Sequence, residues 1–188
     1  MDNLQGQLLI AMPSLEDPYF QRSVTYVCEH NEEGAMGLVI NQPIKNLNLS
    51  ELLEKVHDLH RDDLSSDSLK QPVFAGGPVN QERGFVLHTS QPGWASSMVL
   101  NDDLMITTSK DILQILGTDL EPSKYLVTLG YAGWDAGQLE QEIADNSWLI
   151  IPADQNIIFE IDAEHMWEAS GRTLGIDIAQ ISTQSGHA

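Results

Sequence analysis

Residues 23–40 decide the fold of this chain, and they read SVTYVCEHNEEGAMGLVI. The first part alternates, so that Val24, Tyr26 and Cys28 point to one face of a strand and the residues between them to the other. A polar, turn-like segment follows, and residues 35–40 then form a second, apolar strand. Two such strands joined by a short polar loop predict a β-hairpin.

Outward from this hairpin, most of the chain is predicted to form strands and a few helices. The strands cover residues 7–12, 72–75, 84–89, 97–100, 104–107, 125–131, 148–151 and 157–161. The helices cover residues 49–59, 110–116, 136–143 and 164–174. Because the strands come in adjacent runs that helices interrupt irregularly, the order favours an α+β fold with a mixed sheet over strict βαβ alternation.

The first helix has a clear start signal. Asn48 is predicted to be its N-cap, and Glu51 stands three residues later, as in a capping box. An apolar stripe then continues at helical spacing to Leu59. Residues 60–71 are polar and serine-rich and are predicted to form a mobile surface loop inside the domain, and the tail 182–188 is predicted to be frayed.

Length and composition favour one globular domain over residues 1–188. A chain of 188 residues buries roughly 70% of its unfolded surface in one core. No basic residue precedes the apolar residues 8–12, and no apolar run approaches the ~18 residues of a membrane span. With a single cysteine besides, the sequence predicts a cytoplasmic protein with no membrane partner.

Several characteristic sequence blocks are spread along the chain. They are LLIAMP at 8–13, DPYF at 17–20, RSV at 22–24, EH at 29–30, GAMGLVIN at 34–41, Pro43, GGPV at 76–79, GFVLH at 84–88, LGYAGW at 129–134, GQLE at 137–140, Glu142 and GHA at 186–188. Together these blocks resemble those of the AlgH/YqgE family. The resemblance implies an α+β fold built on a large mixed, mostly antiparallel, barrel-like sheet flanked by helices. It implies no agreed activity, although members of this uncharacterised family are labelled transcriptional regulators.

Cys28 and His30 are the first candidates for chemistry. They lie two residues apart, so a regular strand places them on one face, where an imidazole could activate a thiolate. The alternative is a buried cysteine beside a histidine at the end of the strand, and the sequence favours this structural role. His57 and His60 lack any metal-binding motif, and no metal site or cofactor is predicted.

A ligand-binding site is predicted where glycine-rich turns and polar residues leave the sheet. Its residues are Arg22, Asn41, Gly76, Gly77, His88, Gly130 and Gly133. Glycines permit close backbone approach, and the polar side chains can fix a small anionic ligand. Two alternatives stay open: tight packing accounts for the glycines, and an ion pair with Asp17 accounts for Arg22.

These observations predict a non-enzymatic regulatory or binding protein that acts through a small ligand or a protein partner. The alternative is an enzyme of unknown reaction with a polar site at the sheet ends. The two differ in the surface they require, since an enzyme needs convergent polar groups in a pocket and a partner-binding module needs an exposed apolar patch.

Direct binding of nucleic acid is not expected, because the formal net charge is -19 and the nine basic residues form no cluster in the sequence. Affinity for nucleic acid depends on lysine and arginine displacing counterions from phosphates. A mobility-shift titration of duplex DNA with the purified protein should show no specific complex at physiological salt. A submicromolar, sequence-specific complex would contradict this expectation.

Overall fold

The hairpin of residues 23–40 lies at the centre of the sheet. In the computed structural model, which describes residues 2–181, β2 (Val24–Asn31) pairs antiparallel with β3 (Gly34–Val39), with Thr25 opposite Val39. The hairpin prediction is confirmed. The tail predicted to be frayed, residues 182–188, lies outside the described residues.

Ten strands lie within residues 2–181 and form one curled sheet, a half-barrel. The other strands are β1 (Gln7–Ala11), β4 (Pro43–Asn48), β5 (Pro72–Ala75), β6 (Val79–Thr89), β7 (Ser97–Val99), β8 (Leu104–Thr107), β9 (Tyr125–Asp135) and β10 (Trp148–Pro152). Along the sheet the order is β10-β1-β2-β3-β9-β6-β8-β7, and β5 joins β9 in parallel while carrying β4 on its other side. The predicted α+β fold with a mixed, mostly antiparallel, barrel-like sheet is confirmed.

Three α-helices and several short helical turns flank the sheet. The helices are α1 (Leu49–Lys55), α2 (Gln138–Ala144) and α3 (Ala163–Arg172), and the turns are Asp67–Lys70, Lys110–Gln114, Asn156–Glu160 and Ile178–Gln180. None of the helices within residues 2–181 has the length and apolar character needed to cross a membrane. At the start of α1 the side chain of Asn48 accepts a 2.8 Å hydrogen bond from the Glu51 backbone N–H, so the predicted cap is confirmed.

Several elements differ from the prediction, among them the strand Pro43–Asn48, which was not predicted, and β6, which begins at Val79 rather than at residue 84. The helix α1 ends at Lys55 rather than at Leu59. Residues 157–161 form no strand, because the Ile158 N–H turns back to the Asp154 carbonyl and winds the segment into a helical turn that buries apolar side chains. Finally, the strand predicted over residues 125–131 runs on through the supposed turn after Gly130 and ends at Asp135.

The core lies on both faces of the curled sheet. The concave face holds the largest cluster, to which β1, β2, β3, β6 and β8 all contribute, and α3 covers it with Met166 and Trp167. On the convex face, α1 and its neighbouring turns cover one half, and α2 covers the other half with Leu139. The central part of the half-barrel is thus buried on both sides, which explains why strands such as β1 and β8 are almost continuously buried.

The segment predicted as a mobile loop, residues 60–71, is attached to the convex face. Arg61 is only 3% exposed at its side chain, and it donates hydrogen bonds to the carbonyls of Leu113 (2.9 Å) and Leu116 (2.6 Å). Leu69 is fully buried within the short turn Asp67–Lys70. Local polarity therefore predicted the surface location of the segment but missed its two anchors.

Gly76 and Gly77 carry the chain from β5 to β6 across the backbone of β9. A Cβ atom on Gly76 would collide with the Gly130 carbonyl oxygen, and one on Gly77 with the Tyr131 backbone. Gly130 itself has a φ of 77° and faces the Gly77 carbonyl. Close packing of two backbones thus requires these three glycines.

Substitution Gly77→Ala should destabilise the protein by more than about 3 kcal/mol, because the new methyl group meets backbone that cannot move aside. Gly137→Ala is the matched control, since Gly137 also has positive φ but nothing lies within 4 Å of its Cβ position. That control should cost only about 1–2 kcal/mol. Urea unfolding of both variants measures the difference, and equal losses would show that the crossing is not constrained as described.

Candidate ligand-binding groove at the open end of the half-barrel

Arg22 and Asn41, two of the predicted ligand-binding residues, lie together beside the start of β2, with Asn41 reaching it from the end of β3. The Asn41 side chain accepts a hydrogen bond from the Val24 N–H (2.9 Å) and donates one to the Arg22 carbonyl (2.9 Å). Arg22 has a φ of 57°, and its guanidinium lies 5.1 Å from the centre of the Trp167 ring. Asn41 is thus occupied in bracing the backbone, whereas Arg22 forms no ion pair with Asp17 or with any other of residues 2–181.

Three of the four predicted glycines lie at the backbone crossing, and the fourth lies on the concave face. Gly76, Gly77 and Gly130 meet at the backbone crossing described above, and this crossing alone accounts for them. Gly133 lies two residues beyond Tyr131 on the same face of β9, with the Tyr131 ring 3.7 Å from its Cβ position. Of these four glycines, Gly133 alone lies outside the crossing, and it is exposed.

His88 lies far from both groups. It pairs with Tyr125 at the start of β9, about 17 Å along the strand from Gly130. The structure therefore brings Arg22 to Asn41, and Gly76 and Gly77 to Gly130, but it does not bring all seven predicted residues to one concavity. A ligand-binding role for any of them stays a prediction.

Cys28 and His30 lie on opposite faces of the sheet, contrary to the prediction. The register of β2 against β3 slips by one residue between Val27 and Glu29, and this β-bulge inserts Cys28 as the extra residue. Cys28 is fully buried in the concave cluster, and burial raises the pKa of its thiol well above the ordinary value. An activated thiolate has no support in this geometry.

His30 instead joins β2 to α2 and to the N-terminal segment. Its Nδ1 accepts a hydrogen bond from the Leu4 N–H (3.0 Å), so Nε2 donates to the Glu140 carboxylate. This hydrogen bond holds the pKa of the Glu140 carboxyl below its ordinary value. Both ring nitrogens are occupied, which gives His30 a structural role.

A groove lies at the open end of the half-barrel and is called the mouth groove. Its volume is about 580 Å³, and Glu29 near the end of β2 lines it, whereas Trp167 of α3 packs against Arg22 beside the start of that strand. Six neighbouring strands, β2, β3, β9, β6, β8 and β7, contribute to its wall. The residues that line it are Glu29, Met36, Arg83, Phe85, Ser96, Ser97, Met98, Ile106, Thr108 and Tyr131. The mouth of a barrel with an apolar floor and a few polar groups is a common place for ligands.

Arg83 is the basic residue of the mouth groove. The register of β6 against β9 shifts between Val79 and Gly84, so the intervening residues bulge outward. The bulge presents the Arg83 guanidinium 5.4 Å from the centre of the Phe85 ring. Within residues 2–181 Arg83 has no acidic partner, while Glu29 stands on the β2 side of the same groove.

Sequence reasoning missed Arg83, although two signals could have found it. Arg83 is one of only nine basic residues in the chain, and in so acidic a chain the position of each basic residue is worth examining. It also stands two residues before Phe85, and strand alternation extended backward places both side chains on one face.

A chain of hydrogen bonds connects the rim of the mouth groove to buried His88. His88 Nδ1 donates to the Thr89 carbonyl (2.8 Å), and burial lowers the pKa of the ring, so Nε2 is unprotonated and accepts from the Thr107 hydroxyl (2.7 Å). Thr107 in turn accepts from the Ser97 hydroxyl (2.7 Å). The direction of the chain is thereby fixed, and the lone pairs of Ser97 remain available as acceptors.

The fold and the groove define a class: an α+β half-barrel whose concave face is filled by a helix at one end and open at the other. The profile of the AlgH-like family matches residues 8–179, and the chain belongs to that family. The UPF0301 proteins of Colwellia psychrerythraea and Shewanella oneidensis are 53% and 54% identical to it, each over the whole of both chains. The resemblance drawn from the sequence blocks is confirmed.

Two solved structures share the fold. The solution structure of the AlgH protein from Pseudomonas aeruginosa is 45% identical, covers 99% of this chain and 96% of its own, and superposes with a TM-score of 0.77. A crystal structure of a protein from Corynebacterium diphtheriae is 22% identical, covers 92% of this chain and 88% of its own, and has a TM-score of 0.68. The second match concerns the fold alone.

Proposed function

We propose that the protein is a non-enzymatic, regulatory binding protein that holds a small amphipathic anion in the mouth groove and acts on a protein partner. The observation that carries this proposal is the arrangement of one unpaired arginine, Arg83, at the edge of an apolar floor. The regulatory label used for the family agrees with such a role, and the proposal assigns it to ligand and partner rather than to DNA.

The chemistry of the groove selects the ligand. An arginine stacked on an aromatic ring is weakly hydrated and has planar donors directed at an acceptor, so it suits a carboxylate, sulfonate or phosphate. Met36, Met98 and Ile106 provide an adaptable apolar surface for the rest of the molecule. Glu29 and the net charge of -19 disfavour a second negative charge, which favours a monoanion over a polyanion.

The reactive side chains of the domain support binding rather than catalysis. Cys28 is buried with a raised thiol pKa, and His30 is hydrogen bonded at both nitrogens. In the groove itself the ionisable residues are Glu29, Arg83 and Tyr131, and no histidine or cysteine lines it. The groups present there serve recognition of charge and shape.

Anilinonaphthalene sulfonate, an aromatic body with one anionic group, is a suitable fluorescent probe of the groove. Arg83→Gln should weaken its binding by about tenfold, because a charge-assisted hydrogen bond is lost. Arg172→Gln is the matched control, since Arg172 lies on α3 beside Glu168, away from the groove, and it should bind as the wild type does. Phenylnaphthylamine, a neutral analogue, should not distinguish Arg83→Gln from wild type.

Two results would overturn the assignment of the groove. One is equal affinity of wild type and Arg83→Gln for the sulfonate. The other is an unchanged affinity after Met98→Glu, which places a negative charge in the apolar wall.

A second candidate function, a serine-dependent enzyme, is favoured by one observation: the hydrogen-bond chain from Ser97 through Thr107 to His88. A fluorophosphonate would test it, because attack by the Ser97 oxygen forms an O–P bond, expels fluoride and passes the proton along the chain to His88. The binding proposal predicts no covalent adduct by mass spectrometry. A covalent adduct that is abolished by Ser97→Ala and also by Thr107→Val would favour the serine-dependent enzyme over the binding proposal.

A further inference from the structure

The strand β7 presents an open edge at the rim of the mouth groove. It is the last strand of the sheet order, and it pairs only with β8. Ser97 and Met98 also line the groove, so the edge and the groove are continuous. Val99 is 66% exposed, among the most exposed large apolar residues of the described chain.

The backbone register shows which groups of β7 are free. Ser96 accepts a hydrogen bond from the Thr108 N–H, and the Leu100 N–H donates to the Leu104 carbonyl, each at 2.9 Å. In an antiparallel pair every second residue is directed at the partner strand. The N–H and C=O groups of Ser97 and Val99 therefore point away from β8, and no hydrogen bond of theirs to another of residues 2–181 is present.

The other sheet edges carry features that prevent strand addition, and β7 does not. In β10, Pro152 lies at an outward-pointing position, where it has no N–H to offer. In β4, Pro43 and the exposed Lys45 protect the edge. Proline and lysine are the usual means by which proteins block edge-to-edge pairing, and β7 reads Ser-Met-Val.

Acidic side chains flank both ends of the β7 edge. Asp111 accepts a hydrogen bond from the Ala95 N–H before the strand, and its pKa is lowered by such hydrogen bonds. Asp102 and Asp103 follow the strand in the exposed turn and form no ion pair within residues 2–181. A partner that lies along this edge therefore gains from positive charge.

We propose that β7 binds an extended, basic segment of a partner protein, which adds to the sheet as a further strand. The free groups of Ser97 and Val99 provide main-chain hydrogen bonds, as in other cases of strand addition. Basic residues of the segment face the three aspartates. This proposal rests on the proposed function, since it places the protein partner that the function requires.

A second copy of the same chain is a poorer occupant. Two copies that join at β7 bring the same aspartates together, and each carries a net charge of -19. Ser97 adds a preference of its own, because its hydroxyl is committed as a donor to Thr107 and offers only lone pairs outward. A donor on the incoming segment, such as a lysine ammonium or an amide N–H, satisfies it.

The test uses a short fluorescent peptide of alternating lysine and valine and measures its binding by anisotropy. Val99→Pro removes the outward N–H of Val99 without removing a bond to β8, and it should weaken binding by about tenfold. Val99→Thr keeps the N–H and should bind as wild type. Replacing Asp102 and Asp103 by asparagine should lower the affinity and reduce its dependence on salt.

Control measurements separate this proposal from a folding defect and from the groove. A wild-type protein titrated with the same peptide N-methylated at alternate residues should show the same loss as Val99→Pro, and this experiment needs no variant. Val99→Pro should still bind anilinonaphthalene sulfonate, so failure of the edge leaves the groove assignment standing.

Equal binding of the methylated and plain peptides, or of an acidic glutamate–valine peptide, would overturn the proposal. A dimer in sedimentation that Val99→Pro dissociates would replace the basic segment with a second copy.

Discussion

The structure depends on one backbone crossing. Between β5 and β6 the chain passes over β9 at Gly130, and the absence of side chains on Gly76, Gly77 and Gly130 is what lets the two backbones touch. On one side of β9 the partner changes there from β5 to β3, and Gly76 joins both, donating to the Leu129 carbonyl and accepting from the Val39 N–H. On the other side β6 accompanies β9 along most of its length. The crossing thus marks where β9 changes its partner, and the next residue, Tyr131, lines the mouth groove.

Local sequence predicted most of the strands and the fold class, because alternation and capping are local signals. The hairpin at residues 23–40 and the cap at Asn48 needed only neighbouring residues, and both are confirmed. The strand β9 was predicted to end near Gly130, because the conformational freedom of glycine suits a turn as well as a close backbone contact. The contact with Gly77, which is distant in sequence, shows that Gly130 serves a close contact. The apolar run at residues 157–161 failed for a related reason, because a short apolar segment does not reveal its period.

The candidate site was harder to predict than the fold. The mouth groove draws on six strands spread from Glu29 to Tyr131, and no motif in the sequence joins them. Arg83 is placed in the groove by the bulge in β6 and by its stacking over the Phe85 ring, and neither feature is visible in the sequence. Conversely, Asn41 and the crossing glycines carried strong sequence signals because the backbone needs them. The strong local signals at Asn41 and at the crossing glycines therefore reflect the needs of the backbone.

The position of β1 between β2 and β10 has a consequence for folding during translation. The strand β1 is completed by β10, the last strand within residues 2–181, with Ala11 opposite Trp148. At about 5–20 residues per second, a ribosome takes roughly 7 to 30 seconds to synthesise the chain between these two residues. Throughout that interval the nascent chain holds β1 with one side unpaired and with apolar residues such as Leu8 and Ile10 lacking part of their cover. A chaperone that meets this protein during translation should therefore find an unpaired edge and uncovered apolar side chains on β1.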